Sequence, residues 1–248
     1  MGTELAKQKG IDIRNPKFRH SIDTYFIDKE NNAIYKGIAS VKFLNENCSK
    51  ELYIRKDNRY NSFMDLLIDL EENSSVNSKQ MKILIELDFF EEFGKAGTLM
   101  DMYEEFSEGQ FKYKKTYCQK TKDKRMAELL SLEFEDKEIP IKQQLQAQAE
   151  FFGSPTTIKE NLKGYAYILD IETKHTPKFT TYGIATGKIA TIKVSSKLYK
   201  KQGGEIGDII GKCKLIQRNK MKKVGDDWVE TEGLEWWLTE YQVEKIGF

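Results

Sequence analysis

Histidine and proline are scarce in this chain, with two and four copies among 248 residues. His20 and His175 have no partners at metal-ligand spacing, so no histidine-based metal centre or metal cofactor is indicated. The three cysteines, Cys48, Cys118 and Cys213, are odd in number, far apart and without CxxC spacing. That pattern gives neither a disulfide framework nor a zinc site and leaves the thiols reduced. No apolar run approaches the roughly 20 residues that span a bilayer, and the opening MGTELAKQKG lacks the apolar centre of a signal peptide. The expectation is a cytoplasmic protein with no membrane partner. There is no GKS or GKT phosphate loop, and Ser154 and Ser195 lack a nucleophile-elbow context. The paired acids Glu71-Glu72 and Glu91-Glu92 read as solvated helix faces, not as the carboxylate cluster that a two-metal enzyme requires. A net charge of +1 argues against a uniformly basic coat and leaves room for local basic patches.

What the sequence does contain is strong helical periodicity between Ser62 and Phe106. Phe63, Met64, Leu66, Leu67 and Leu70 form one apolar face, Met81, Leu84, Ile85 and Phe89 a second, and Leu99, Met102, Tyr103 and Phe106 a third. Between the second and third lies Gly94-Lys95-Ala96-Gly97-Thr98, where glycine permits positive φ and Thr98 with Asp101 reads as a capping pair. This is the pattern of a helix-hairpin-helix. Such a corner presents backbone amides at a helix start, where a phosphate is held by main chain and helix dipole. Gly94, Lys95, Gly97 and Thr98 are therefore DNA-binding candidates, against the plainer reading of a helical hairpin that turns on glycine.

Upstream, residues 4–10 read as the tail of a helix stopped by Gly10, followed by an extended segment through Pro16. Thr24–Ile27 and Ala33–Tyr35 flank Asn31-Asn32 as a β-hairpin. Lys36-Gly37 then opens a turn-rich region to Ile54 that forms a weaker hairpin unit, with Lys36, Gly37 and Lys42 as backbone contacts. Downstream of Phe106, Phe111 to Tyr117 and Lys120 to Arg125 interleave rings with cations, which suits phosphate neutralisation by Lys112, Lys114 and Lys115. Met126 to Phe134 reads as a further helix.

The order of these features resembles the C-terminal part of the alpha subunit of bacterial DNA polymerase III, the family C replicative polymerases. The resemblance is carried by Glu4 to Ile11, Pro16, Ser21, Ile34 to Ile38, Val41-Lys42, Ser62-Phe63, Leu84-Ile85 and Phe89 before Gly94. It implies the end of a fingers region, tandem helix-hairpin-helix elements on duplex DNA, and a polymerase catalytic region or subunit as partner. Its catalytic aspartates would lie upstream of Met1, so this chain by itself would lack the catalytic carboxylates of a DNA-directed DNA polymerase. Two departures matter. The glycine-rich turn of the family is Val41-Lys42-Phe43-Leu44-Asn45 here, and a Gly-Ala pair is Leu87-Asp88, which favours the Gly94–Thr98 corner for phosphate. Gln148-Ala149-Glu150-Phe151-Phe152 is also similar to the peptide by which replication proteins grip a sliding clamp, with Gln148, Phe151 and Phe152 as contacts. The preferred reading of those rings is a hydrophobic core.

From Tyr165 onward the pattern is β. Tyr165–Ile171, Phe179–Ala185, Ile189–Val194, Ile209–Ile216 and Leu234–Val243 are strand-like runs, with a helical turn at Ser195–Lys201, which suits an OB-fold. Candidate contacts to single-stranded DNA are Lys174, Lys178, Lys188, Lys193, Arg218, Lys220, Lys222 and Lys223, with Tyr182 and Tyr199 as stacking rings. Residues 217–225 read as a basic loop. The expected architecture is α+β: a helix-hairpin-helix domain over residues 1–139, a linker over 140–160, and a five-stranded OB-fold β-barrel over 161–248. The expected role is to position primer-template DNA during DNA replication. The alternatives are a clamp-recruiting scaffold, a stand-alone single-stranded-DNA-binding protein, and a complete enzyme with an unrecognised site.

Overall fold

The computed structural model describes residues 8–225 and 227–244. It divides into two compact units, Met1–Ile139 and Pro140–Phe248. Most of the helix tail expected at residues 4–10 lies outside the described residues. Among the described residues no helix is long and apolar enough to cross a membrane.

The first unit opens with a three-stranded sheet of β1 (Asp12–Arg14), β2 (Phe26–Asp28) and β3 (Ala33–Tyr35), in the order β1-β3-β2. Strand β2 pairs antiparallel with β3, and Asn32 takes φ +47 in the turn, as the Asn-Asn pair implies. Strand β1 adds a parallel partner on the other side of β3. A 3-10 turn at Ile38–Ser40 leads to α1 (Glu46–Tyr53), α2 (Phe63–Asn73), α3 (Ser78–Glu86), α4 (Ala96–Ser107) and α5 (Gln119–Leu130). Side chains of Asn45, Ser62 and Asn77 cap α1, α2 and α3, and Asn77 with Gln80 closes a full capping box. The apolar stripe Phe63, Leu66, Leu67 and Leu70 of α2 is buried, as are Met81, Leu84 and Ile85 of α3. Phe18, Phe63, Phe89 and Phe90 form a ring cluster, Phe89 and Phe90 meeting edge to face at 5.0 Å.

Two details depart from the sequence reading. Helix α5 begins at Gln119, not Met126, so the basic run Lys120 to Arg125 is helical. Lys122 from it reaches Glu72 of α2 at 2.7 Å. Helix α4 begins at Ala96 with no side-chain cap, so Thr98 lies inside its first turn and Asp101 does not pair with it as a cap.

The second unit begins with α6 (Ile141–Phe152), ended by Gly153 at φ +81, so residues 140–160 are no linker. Leu145 of α6 packs with Tyr167, Tyr182, Ile184 and Ile209 of the sheet. The strands are β4 (Ala166–Glu172), β5 (Lys178–Gly183), β6 (Ile189–Val194), β7 (Ile209–Val224) and β8 (Asp227–Val243), with α7 (Ser196–Gln202) between β6 and β7. They pair in the order β4-β5-β6-β8-β7, and β7 returns to β4 through Ala166–Ile210 and Tyr167–Ile209, so the five-stranded sheet closes on itself. Only the β6–β8 pairing in it is parallel. Ile168, Phe179, Ile192, Val194, Ile210, Leu238 and Tyr241 fill the interior. Strands β7 and β8 run on past that core as a two-stranded ribbon, still paired at Val224–Asp227. The expected loop at 217–225 is thus mostly β-strand.

Candidate nucleic-acid interface

At the Gly94–Thr98 corner Gly94 and Lys95 are exposed, while Gly97 is buried and Thr98 is covered by the chain's own backbone. The Thr98 amide donates to the Lys137 carbonyl at 3.0 Å, and the Thr98 hydroxyl donates to the Glu135 carbonyl and accepts from the Lys137 amide, each at 2.9 Å. Lys95 pairs with Asp136 at 2.5 Å, and Lys137 with Asp101 at 2.7 Å. A β-carbon on Gly97 would stand 2.5 Å from the Lys137 carbonyl oxygen, so the glycine serves this strap and not a phosphate. Gly37 has the same kind of reason: it is buried, and a β-carbon there would collide with the carbonyls of Asp23 and Thr24. Neither is an accessible phosphate cradle. Replacing either with alanine is expected to cost about 1–3 kcal/mol through overpacking, read as a lower midpoint in thermal unfolding.

The earlier turn, Val41 to Asn45, is open. It joins the 3-10 turn to α1, with Asn45 Oδ1 accepting from the Cys48 amide at 2.8 Å. Val41 and Leu44 are buried beneath it, while Lys42 and Phe43 are exposed. Phe43 adopts φ +70, a region that costs a residue bearing a β-carbon about 1–2 kcal/mol. The residue is 47% exposed, and two ammonium groups lie over its ring, Lys79 Nζ at 3.5 Å and Lys42 Nζ at 4.9 Å from the centroid. Phe43 and Lys79 were not singled out from the sequence. For Phe43 the available signal was the departure noted above, a bulky residue where the family that the sequence resembles has a glycine-rich turn.

In the second unit, register places the cations. Even-numbered residues of β7 share one face, so Arg218, Lys220 and Lys222 follow one another about 7 Å apart. Lys178, Lys193, Trp237 and Ile216 align across β5, β6, β8 and β7 on that same side. Arg218 lies 4.8 Å and Lys193 5.5 Å from the Trp237 ring centre. Glu235 binds Lys193 at 2.6 Å and accepts from Trp237 Nε1 at 2.8 Å. Burial works against its ionisation, but these hydrogen bonds outweigh it and lower its pKa. Lys178 is held by Glu172 at 2.9 Å. Lys223 falls on the opposite ribbon face.

The remaining candidates divide. Lys174 and Lys188 are exposed in turns, and Lys114 and Lys115 are exposed, with Lys112 and Lys36 half-buried. Of the aromatics beside Lys112 to Lys115, Tyr113 is buried, packs on Phe106 at 5.7 Å and donates to Glu72 at 2.7 Å, while Phe111 and Tyr117 are half-buried. Tyr182 is buried, its hydroxyl bonded to the Thr157 carbonyl at 2.8 Å, and Tyr199 packs edge-on to Phe179 at 5.8 Å. Neither is a stacking platform. The clamp contact is also displaced. Gln148 is 2% exposed, its Oε1 accepting from the amides of Thr156 and Thr157 and its Nε2 donating to the Thr157 hydroxyl. Phe151 and Phe152 are half-buried in the last turn of α6. Among the described residues no group of His, Cys, Asp or Glu could hold a metal ion.

A family model described as a helix-hairpin-helix motif matches residues 10–98. The matched stretch spans the three-stranded sheet, the Val41–Asn45 turn, α1, α2 and α3, and runs through the Gly94–Thr98 corner into the first turn of α4. It points to nucleic-acid binding. Comparison with curated proteins finds no match.

Proposed function

We propose that this chain binds DNA that is part duplex and part single strand. The Val41–Asn45 turn of the first unit meets duplex, and the cationic face of the second unit holds the unpaired strand. In the second unit, a closed five-stranded sheet with a helix between its third and fourth strands has the connectivity expected of an OB-fold, a recurrent single-strand binder. The observation that carries the reading is the row Lys178, Lys193, Arg218, Lys220 and Lys222 on the face that bears Trp237, with Lys193 and Arg218 beside its partly open ring. Side-chain ammonium and guanidinium groups neutralise phosphates without reading sequence, so binding is salt-sensitive and sequence-tolerant. The family C resemblance adds the cellular role: the C-terminal module or a split subunit of a replicative polymerase, with the catalytic aspartates on another segment or chain and the sliding clamp reached through other contacts than Gln148.

The reading is tested by competition between a duplex with a single-stranded overhang, a blunt duplex and a single strand of equal phosphate number. The overhanging duplex is expected to bind tightest. A single strand that binds as tightly as the overhanging duplex would favour a stand-alone single-strand binder. That alternative has its own support, because the cation row lies wholly within the second unit.

A further inference from the structure

We propose that Phe43 is a wedge that stacks on an exposed base face, with Lys42 and Lys79 taking the phosphates on either side. This rests on the nucleic-acid reading above and names the feature of DNA that the first unit recognises: an interrupted base stack. A turn that requires φ +70 is served best by glycine, yet the chain places a phenylalanine there and leaves the ring in solvent rather than in the core. The two lysines over the ring come from different elements, one from the turn and one from the first turn of α3. Among the described residues neither forms an ion pair with a carboxylate.

An ammonium over a phenyl face is weakly held, whereas its hydrogen bond to a phosphate oxygen is charge-assisted and stronger. Neighbouring phosphates therefore draw the lysines off the ring and uncover it. A base is the flat apolar partner that then fits, and bases offer a free face where a duplex ends, is nicked or opens into a single strand. An acidic peptide would occupy the lysines and leave the ring without a partner. The phenyl group also keeps the backbone amides of the turn from the close phosphate approach that a glycine turn allows, so the contact made here is by side chain.

The test uses the full chain and DNA with 2-aminopurine at the base beside a duplex–single-strand junction. Wild type is expected to change the probe's fluorescence on binding. Phe43→Gly, which relieves the backbone, is expected to fold at least as stably, to lose that change and to bind the junction about tenfold more weakly. Its affinity for a duplex closed at both ends by hairpin loops stays at the wild-type value. Lys42→Ala with Lys79→Ala is expected to weaken both DNAs and to lower the salt dependence of each. A Phe43→Gly protein that keeps the wild-type fluorescence change and junction affinity overturns the wedge and leaves the nucleic-acid reading standing. A wild type that binds none of these DNAs at low salt overturns both.

Discussion

Arg55→Met is expected to cost the first unit about 3–5 kcal/mol, the usual penalty for removing one partner from a buried charged network. Arg55 is 4% exposed at the end of α1. Its Nε donates to Asp69 Oδ2 at 2.9 Å, Nη1 to the Glu51 carbonyl at 2.5 Å and Nη2 to the Asn73 carbonyl at 2.8 Å. Tyr60 and Asn73 also donate to Asp69, at 2.6 and 2.8 Å. The guanidinium thereby binds α1 to both ends of the second half of α2. Without it the Asp69 carboxylate keeps two donors but loses its countercharge, and the last carbonyls of two helices lose theirs. For a domain whose whole stability is about 5–15 kcal/mol, that loss is a large fraction. Denaturant unfolding followed by amide exchange in α1 and α2 measures it.

The same network gives the unit an acid-sensitive edge. Burial opposes ionisation of Asp69, but the hydrogen bonds from Tyr60 and Asn73 and the charge of Arg55 prevail and hold its pKa below the ordinary value. A depressed carboxylate stabilises the fold fully above its unfolded pKa, near about 3.9, and the contribution fades as pH falls through the lower, folded value. Asp69→Asn removes this limb, so its unfolding midpoint changes less with pH below about 4 than that of wild type.

The second large effect is on binding. Arg218, Lys220 and Lys222 replaced together by glutamate are expected to weaken single-strand binding by about 100-fold or more at 0.1 M salt, since three attractive contacts become repulsive. Replaced by alanine, they are expected to lower the slope of log affinity against log salt by about 2, near 0.7 per lost phosphate contact. Both variants lie on an exposed stretch of ribbon, so folding should shift by no more than about 0.5 kcal/mol. Lys223→Ala, on the other face, serves as the control and should leave the slope near that of wild type. Equal losses from Lys223 and from the face bearing Arg218 would mean that charge, not placement, governs the contact.

Helices α2, α3 and α4 were legible because each buries a stripe of large apolar residues at helical spacing, and the sheet interior of the second unit was legible through β-branched runs bounded by turn residues. The ribbon was not. Beyond Ile216 neither face of β7 is buried, so Gln217 to Val224 carries no alternation of apolar and polar residues and reads as a loop. Helix α6 was hidden in a segment of glutamine and alanine whose few large side chains, Leu145 above all, pack on distant strands. The strap over Gly97 joins residues some 40 positions apart through main-chain atoms, for which side-chain identity carries no signal. Gly97 looked like a phosphate contact because close approach by any backbone oxygen selects glycine, whether that oxygen belongs to a nucleic acid or to Lys137. The second reading of Gln148, as a clamp contact, meets a similar obstacle: a glutamine before two phenylalanines marks a recognition peptide only if its amide is free, and here Thr156 and Thr157 use it.

The most direct test is a titration of the full chain into a fluorescently labelled duplex with a single-stranded overhang, repeated between 50 and 200 mM salt, about the range over which phosphate contacts declare themselves. Electrostatic capture by the ribbon face and the Val41–Asn45 turn predicts tight binding at the low end that falls linearly in log affinity with log salt, whatever the base sequence. A chain that leaves the label unmoved at 50 mM, or binds with no dependence on salt, would contradict it.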